Sequence, residues 1–208
     1  ELLDAALMRQ AARDAGLPWP AQAEVVFELD STNDRLHGEP APPPGAPRLL
    51  FAEWQTAGRG RRCRAWLAPF GSGLTFSIAW TFAEMPSELS ALSLAMGVCV
   101  VKALRELGGT DVELKWPNDI VHKHRKLGGL LLQMRSEAGG PACVVAGLGL
   151  NLRLPAQTRE ALDAMPDVTP VAYFATACNG SAPSRNLVAA RVAGRMLEGL
   201  ERFAREGF

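Results

Sequence analysis

Val112-Glu113-Leu114-Lys115-Trp116-Pro117-Asn118-Asp119-Ile120-Val121 reads as a strand, a turn and a second strand. Pro117 has no N–H to give to a sheet ladder, so the chain must turn there. Asn118 and Asp119 then stand at a strand end, where ligand groups commonly sit. On these residues alone a polar turn closed by an Asx hydrogen bond is the simpler reading. Upstream, residues 86–107 are expected to form the longest helix, ended by Gly108-Gly109. Downstream, residues 127–134 and 143–150 are candidate strands, the first interrupted early by Gly128-Gly129. Ahead of the first of them His122, His124, Arg125 and Lys126 form a polar hairpin tip leading into Leu127. The two histidines have metal-like spacing, but no third ligand is in view, and both are read as exposed turn residues.

Farther out, residues 2–15 carry apolar side chains at helical spacing and stop at Gly16 and Pro18. Residues 25–29 read as a short strand. Asp30-Ser31-Thr32-Asn33 supplies N-cap residues before a brief helix. A proline-rich exposed loop at 38–47 precedes a buried strand at 48–54, a long Gly/Arg loop at 55–73 and an alternating strand at 74–82. Residues 186–205 form a terminal amphipathic helix. Strands followed by helices, without regular βαβ alternation, predict an α+β fold: a mixed central β-sheet with helices mainly on one face. No internal repeat is visible, and residues 1–208 read as a single domain.

Apolar residues make up 48% of the 208, enough for a sizeable core. Twenty-two basic and twenty-two acidic residues cancel, which argues against a bulk nucleic-acid binder. Cys63, Cys99, Cys143 and Cys178 are widely spaced, with no C-x-x-C pair. A reduced, cytoplasmic setting is expected, with no disulfide framework or zinc site. The apolar runs at 91–101 and 142–150 are too short to span a bilayer. Glu1 stands where a start methionine would be, so the chain is read as trimmed; nothing there resembles a signal peptide.

The stretch Gln55-Thr56-Ala57-Gly58-Arg59-Gly60-Arg61-Arg62-Cys63-Arg64-Ala65-Trp66 places four arginines within six residues, among glycines. Arginine presents a planar fork of donors that matches carboxylate and phosphate oxygens. Glycine lets backbone N–H groups approach an anion. Such a loop suits a polyanionic ligand and should lack structure when empty. A small-molecule anion, a nucleic-acid phosphate and a merely solvated basic loop all remain open, with Trp66 favouring a stacked ring.

Together these pieces resemble a biotin protein ligase. Four motifs of that family occur in order: Ser31-Thr32-Asn33; Glu53-Trp54-Gln55-Thr56-Ala57-Gly58-Arg59-Gly60-Arg61-Arg62; Lys115-Trp116-Pro117-Asn118-Asp119 with Lys126-Leu127-Gly128-Gly129; and Gly147-Leu148-Gly149-Leu150-Asn151. The resemblance implies a biotin/lipoate ligase fold of the class II aminoacyl-tRNA synthetase kind. It implies that Ser31, Thr32 and Gln55 face the ureido ring of biotin, and that Asn33, in the same motif, is a binding residue. Gly58, Arg59, Gly60 and Arg61 would close over the biotin carboxylate and the ATP phosphates. Trp66 would lie near the adenine, whose edge Asn151 would read. Asn118 and Asp119 would lie near the phosphates or their Mg2+, and Lys126 would reach the carboxylate and the α-phosphate.

One departure stands out. The family's G-R-G-R-R-G-R is broken here by Cys63, which bears on how the loop closes. No N-terminal winged helix is read, so a DNA-binding repressor version is not expected. The family's small C-terminal β domain is not read either.

The implied chemistry is activation of biotin by ATP to biotinyl-5′-AMP, then transfer to a lysine of a biotin carboxyl carrier protein. Lys126 and Arg61 are cast as its catalytic cations, with Lys126 a clamp and not a nucleophile. ATP would bind without a Walker A loop, which is absent. A homodimer paired through the central sheet is left open, as is the carrier's identity. The nearest rival is a lipoate ligase or octanoyltransferase of the same architecture. A rival of another class is a non-catalytic nucleic-acid-binding module using residues 59–64.

Overall fold

The computed structural model describes residues 1–86, 88–136, 141–153, 160 and 171–207. Its centre is a seven-stranded sheet: β1 (Gln22–Leu29), β2 (Arg48–Gln55), β3 (Gly73–Phe82), β4 (Val112–Lys115), β5 (Asp119–His122), β6 (Arg125–Ser136) and β7 (Ala142–Asn151). In space the order is β1-β2-β3-β7-β6-β5-β4. The β1–β2 pair is parallel and every other pair antiparallel. The expected mixed sheet is present, and β7 runs through its middle.

The helices are α1 (Ala5–Asp14), α2 (Thr32–Gly38), α3 (Leu92–Glu106), α4 (Phe174–Ala177) and α5 (Arg185–Glu206). α1, α3 and α5 cover one face, burying Met8, Met96, Val100, Leu104, Met196 and Leu200 against Phe51, Phe76 and Ile78 of the sheet. Polar side chains start α1 and α5, whereas α3 has no side-chain cap. Asp4 accepts from the N–H groups of Ala6 and Leu7 (2.8 and 3.0 Å), and Ser184 accepts from Leu187 (3.2 Å). α2 lies on the opposite face over a small apolar cluster of Leu36, Leu50, Ala79 and Val145. Helices therefore sit mainly, though not wholly, on one face.

Several expectations shift. The longest helix is α5, with 22 residues; the region expected to hold it contains a short 3-10 turn (Leu89–Ala91) before the 15 residues of α3. Gly128 and Gly129 do not interrupt β6, which runs for 12 residues because both glycines pair with Leu150 and Gly149 of β7. His122 is not an exposed turn residue. It ends β5, is 4% exposed, and its Nδ1 lies 3.0 Å from the Thr110 carbonyl. His124 does sit in the turn, at φ 63°.

One buried ion pair locks the helical face to the sheet. Arg185 Nη1 lies 2.8 Å from Glu53 Oε2, and its Nη2 donates to the Gly73 carbonyl at 3.0 Å. Glu53 also accepts from the Leu3 N–H. The glutamate that opens the second motif is thus a structural anchor.

Candidate active site

The face of the sheet beneath α2 is unusual because its centre is made of glycine and small polar residues. Register places Gly147 and Gly149 of β7 opposite Leu131 and Gly129 of β6, and opposite Ser77 and Thr75 of β3. Side chains two apart on a strand share a face about 7 Å apart. Two side chains rest on this floor where a Cβ would not fit. An alanine Cβ at 147 would come 2.0 Å from Asn33 Oδ1, and one at 149 would come 2.3 Å from the Trp66 ring.

The sequence places Asn33 there through the S-T-N motif. Ser31 caps α2, its hydroxyl accepting from the Asp34 N–H at 3.3 Å, so that Thr32 and Asn33 form the first turn over the sheet. All three are buried. Thr32 Oγ1 lies 2.7 Å from Ser77 Oγ and 3.0 Å from Gln55 Oε1, which also accepts from the Thr32 N–H at 2.8 Å. The Asn33 amide is wholly engaged inside the protein, with Ser77, Leu131 and Gln133.

The Gly/Arg loop is not the unstructured stretch its charge suggested. It folds into a hairpin: Trp66 N–H donates to the Gly58 carbonyl (2.8 Å), Gly60 N–H donates to Arg64 (2.7 Å), and Arg59 pairs with Ala65. Its root is tied down by Thr56 and Ala57, whose N–H groups donate to Leu29 and Asp30. Gly58 is required, since a Cβ there would meet the Trp66 carbonyl at 2.6 Å; Gly60 is not so confined. The Cys63 side chain lies outside the described residues. Arg59 pairs with Asp34 of α2 at 3.2 Å.

A second cluster faces the hairpin. Lys126 Nζ is 2.7 Å from Asp119 Oδ1 and 5.9 Å from the centre of the Trp66 ring. Asn118 bonds Leu130 with both its side-chain and backbone groups, and its Oδ1 accepts from Arg61 at 3.2 Å. The turn before it holds a cis Trp116–Pro117 bond. Asn151, at the end of β7, is 5% exposed and donates to the Ala172 carbonyl at 3.2 Å. Cations, a carboxylate and an indole thus lie beside the neutral, hydrogen-bonded pair of Thr32 and Gln55. Cavities of about 220 and 340 Å³ lie elsewhere, around Arg153 and Ser184, and between Leu89 and Met134.

Residues 26–151 match the biotin/lipoate A/B protein ligase family. The chain belongs to that family. A biotin--[acetyl-CoA-carboxylase] ligase of Mycobacterium tuberculosis is 35% identical over 206 residues, covering 96% of this chain and 70% of its own. The bifunctional ligase/repressor BirA of Salmonella typhimurium is 36% identical over 156 residues, covering 75% of this chain and 47% of its own. The chain therefore spans about half the length of the BirA relatives it matches. The biotin protein ligase from Aquifex aeolicus, solved in complex with biotin and ATP, superposes with a TM-score of 0.71 at 28% identity, over 89% of this chain and 73% of its own.

In this member of the biotin/lipoate ligase family the fold gathers Thr32, Gln55, Gly58, Arg61, Trp66, Asn118, Asp119 and Lys126 on one side of the sheet. Arg59 instead reaches α2, and Ser31 serves as a helix cap. Sequence reasoning missed Ser77, Gln133 and Asp34. Ser77 is fully buried in a strand that the sequence showed only as an alternating one. Its pairing with Thr32 depends on β3 passing under α2, which no local pattern encodes.

Proposed function

We propose that this chain activates biotin with ATP and transfers it to a lysine of a biotin carboxyl carrier protein. The observation that carries the reading is the neighbourhood of a neutral polar pair (Thr32, Gln55) and a cationic rim (Arg61, Lys126) on the glycine floor. The relatives named as biotin ligases support it.

In the first step a biotin carboxylate oxygen attacks the α-phosphorus of ATP; the new P–O bond replaces the one to pyrophosphate. Two anions must approach, and their repulsion is the barrier to lower. Arg61 and Lys126 carry the charge for it, already held in place by Asn118 and Asp119. In the second step the carrier amine attacks the mixed anhydride carbonyl, and AMP leaves. The hairpin roofed by Trp66 would keep water from that anhydride.

Mg2+ suits the donor set here. Asp119 has one carboxylate oxygen on Lys126 and a second without a partner among the described residues. A hard cation of this kind takes one or two carboxylates and completes its shell with phosphate and water. Bound there, it would neutralise the departing pyrophosphate, with the second Asp119 oxygen as its protein ligand.

The test is titration with biotin, then with ATP and Mg2+, while following pyrophosphate release. Tight biotin binding with release is expected. Lys126→Ala should cut release by about a hundredfold or more while biotin still binds. Absence of biotin binding would sink the proposal and favour lipoate chemistry.

A further inference from the structure

Behind Thr32 runs a chain of hydrogen bonds whose direction is fixed by backbone groups at its two ends. The Leu131 carbonyl can only accept, so the Asn33 nitrogen must face it; Nδ2 donates to Leu131 at 3.1 Å and to Gln133 Oε1 at 2.8 Å. That turns Asn33 Oδ1 toward Ser77 Oγ, 2.6 Å away. Oδ1 has no proton to return, so the single Ser77 proton is spent on it. At the other end the Thr32 N–H can only donate. It reaches Gln55 Oε1, so the Gln55 oxygen, not its nitrogen, faces Thr32.

Thr32 Oγ1 therefore stands between two groups that can only accept from it, Ser77 Oγ and Gln55 Oε1. Its one proton points inward whichever it chooses. Thr32 is left to any ligand as an acceptor alone. Gln55 Nε2, which has no hydrogen bond among the described residues, is left as a donor alone. If Asn33 did not draw off the Ser77 proton, that proton could occupy the Thr32 lone pair and close the acceptor.

We infer that Ser77 and Asn33 are positioning residues that set the hydrogen-bond polarity of the ligand head-group site. The inference rests on the biotin reading above and deepens it. A head group carrying N–H beside C=O, as a cyclic urea does, matches an acceptor at Thr32 and a donor at Gln55. A dithiolane ring offers neither. Gly147 belongs to the same device, since any side chain there would push the Asn33 amide off the sheet.

The experiment is a double-mutant cycle on biotin affinity, measured by titration calorimetry for wild type, Asn33→Ala, Ser77→Ala and the double variant. Asn33→Ala frees the Ser77 proton to close Thr32 and should weaken biotin about tenfold, the scale of one buried hydrogen bond, with ATP affinity unchanged. Ser77→Ala alone leaves the Thr32 proton on Gln55 and should cost less than about twofold; added to Asn33→Ala it removes the blocking proton and should recover most of the loss. Additive losses in the double variant, or an equal loss of ATP affinity, would reduce the pair to structural residues and overturn the inference. Should Ser77→Ala fail to fold, Ser77→Cys keeps the volume and weakens the donor; no recovery on adding it to Asn33→Ala would then overturn it. A wild-type chain that does not bind biotin would take down the reading beneath, a result distinct from either.

Discussion

Gly58 shows how little space the hairpin leaves. Its backbone lies so close to the Trp66 carbonyl that a single methyl group would part the two legs of the loop. The residue is far from the helical core, so Gly58→Ala should leave the thermal midpoint within a few degrees of wild type. The same variant should lose most pyrophosphate release, because Arg61 and Trp66 are carried by the leg it displaces. A large fall in the midpoint would show instead that the hairpin props up the fold. Glycine, arginine and proline have meanings fixed by their own chemistry, so the positions of this loop and of the Lys115–Asp119 turn are legible in the amino-acid sequence, whereas the hairpin form of the loop, held by its own backbone hydrogen bonds, is not. Ser77 is not, because a serine in a strand means one thing in water and another under a helix.

At the scale of elements, the Glu53–Arg185 pair joins β2 to the first turn of α5 across the sheet, with side chains 3% and 9% exposed. Its attraction and the cost of desolvating both ions nearly cancel, but removing one partner strands the other. Arg185→Met should therefore destabilise the chain by about 3–5 kcal/mol in urea unfolding. Pairing it with Glu53→Leu should recover most of that loss. No recovery would mean that Arg185 matters mainly for its bond to the Gly73 carbonyl. Apart from the four-residue α4, helix and strand existence was readable from periodicity, whereas the boundary of α3 and the burial of His122 were not. Both depend on what packs against the segment: a 3-10 turn before α3, and the Thr110 carbonyl beside His122.

For the molecule as a whole, burial raises the thiol pKa of Cys99 and of Cys178, with nearby Glu198 adding to the effect at Cys99. The unfolded chain, whose thiols keep ordinary values, releases these protons first as pH rises. The sulfur contribution to stability is therefore complete below about pH 8.5 and is lost as pH climbs toward the raised folded values. Alkylation mapped to these two cysteines should stay slow at pH 8 until denaturant opens the core. Rapid labelling of Cys99 in the native state would contradict its packing between α3 and Gly199 of α5. The fold class was legible at this scale, but the strand order was not, since long-range pairing leaves no local trace in composition or spacing.

That strand order also has a consequence in time. A ribosome delivers β3 complete at Phe82, yet its neighbour β7 begins only at Ala142. At ordinary elongation rates the gap is roughly 3–12 s. Throughout it the most buried strand of the protein has an open edge on the side β7 will fill. The nascent chain must therefore spend its vulnerable seconds with the future centre of the sheet as its border. Slow codons between positions 83 and 141 should increase capture by holdase chaperones and lower the folded yield, and the same codons placed after position 151 should not.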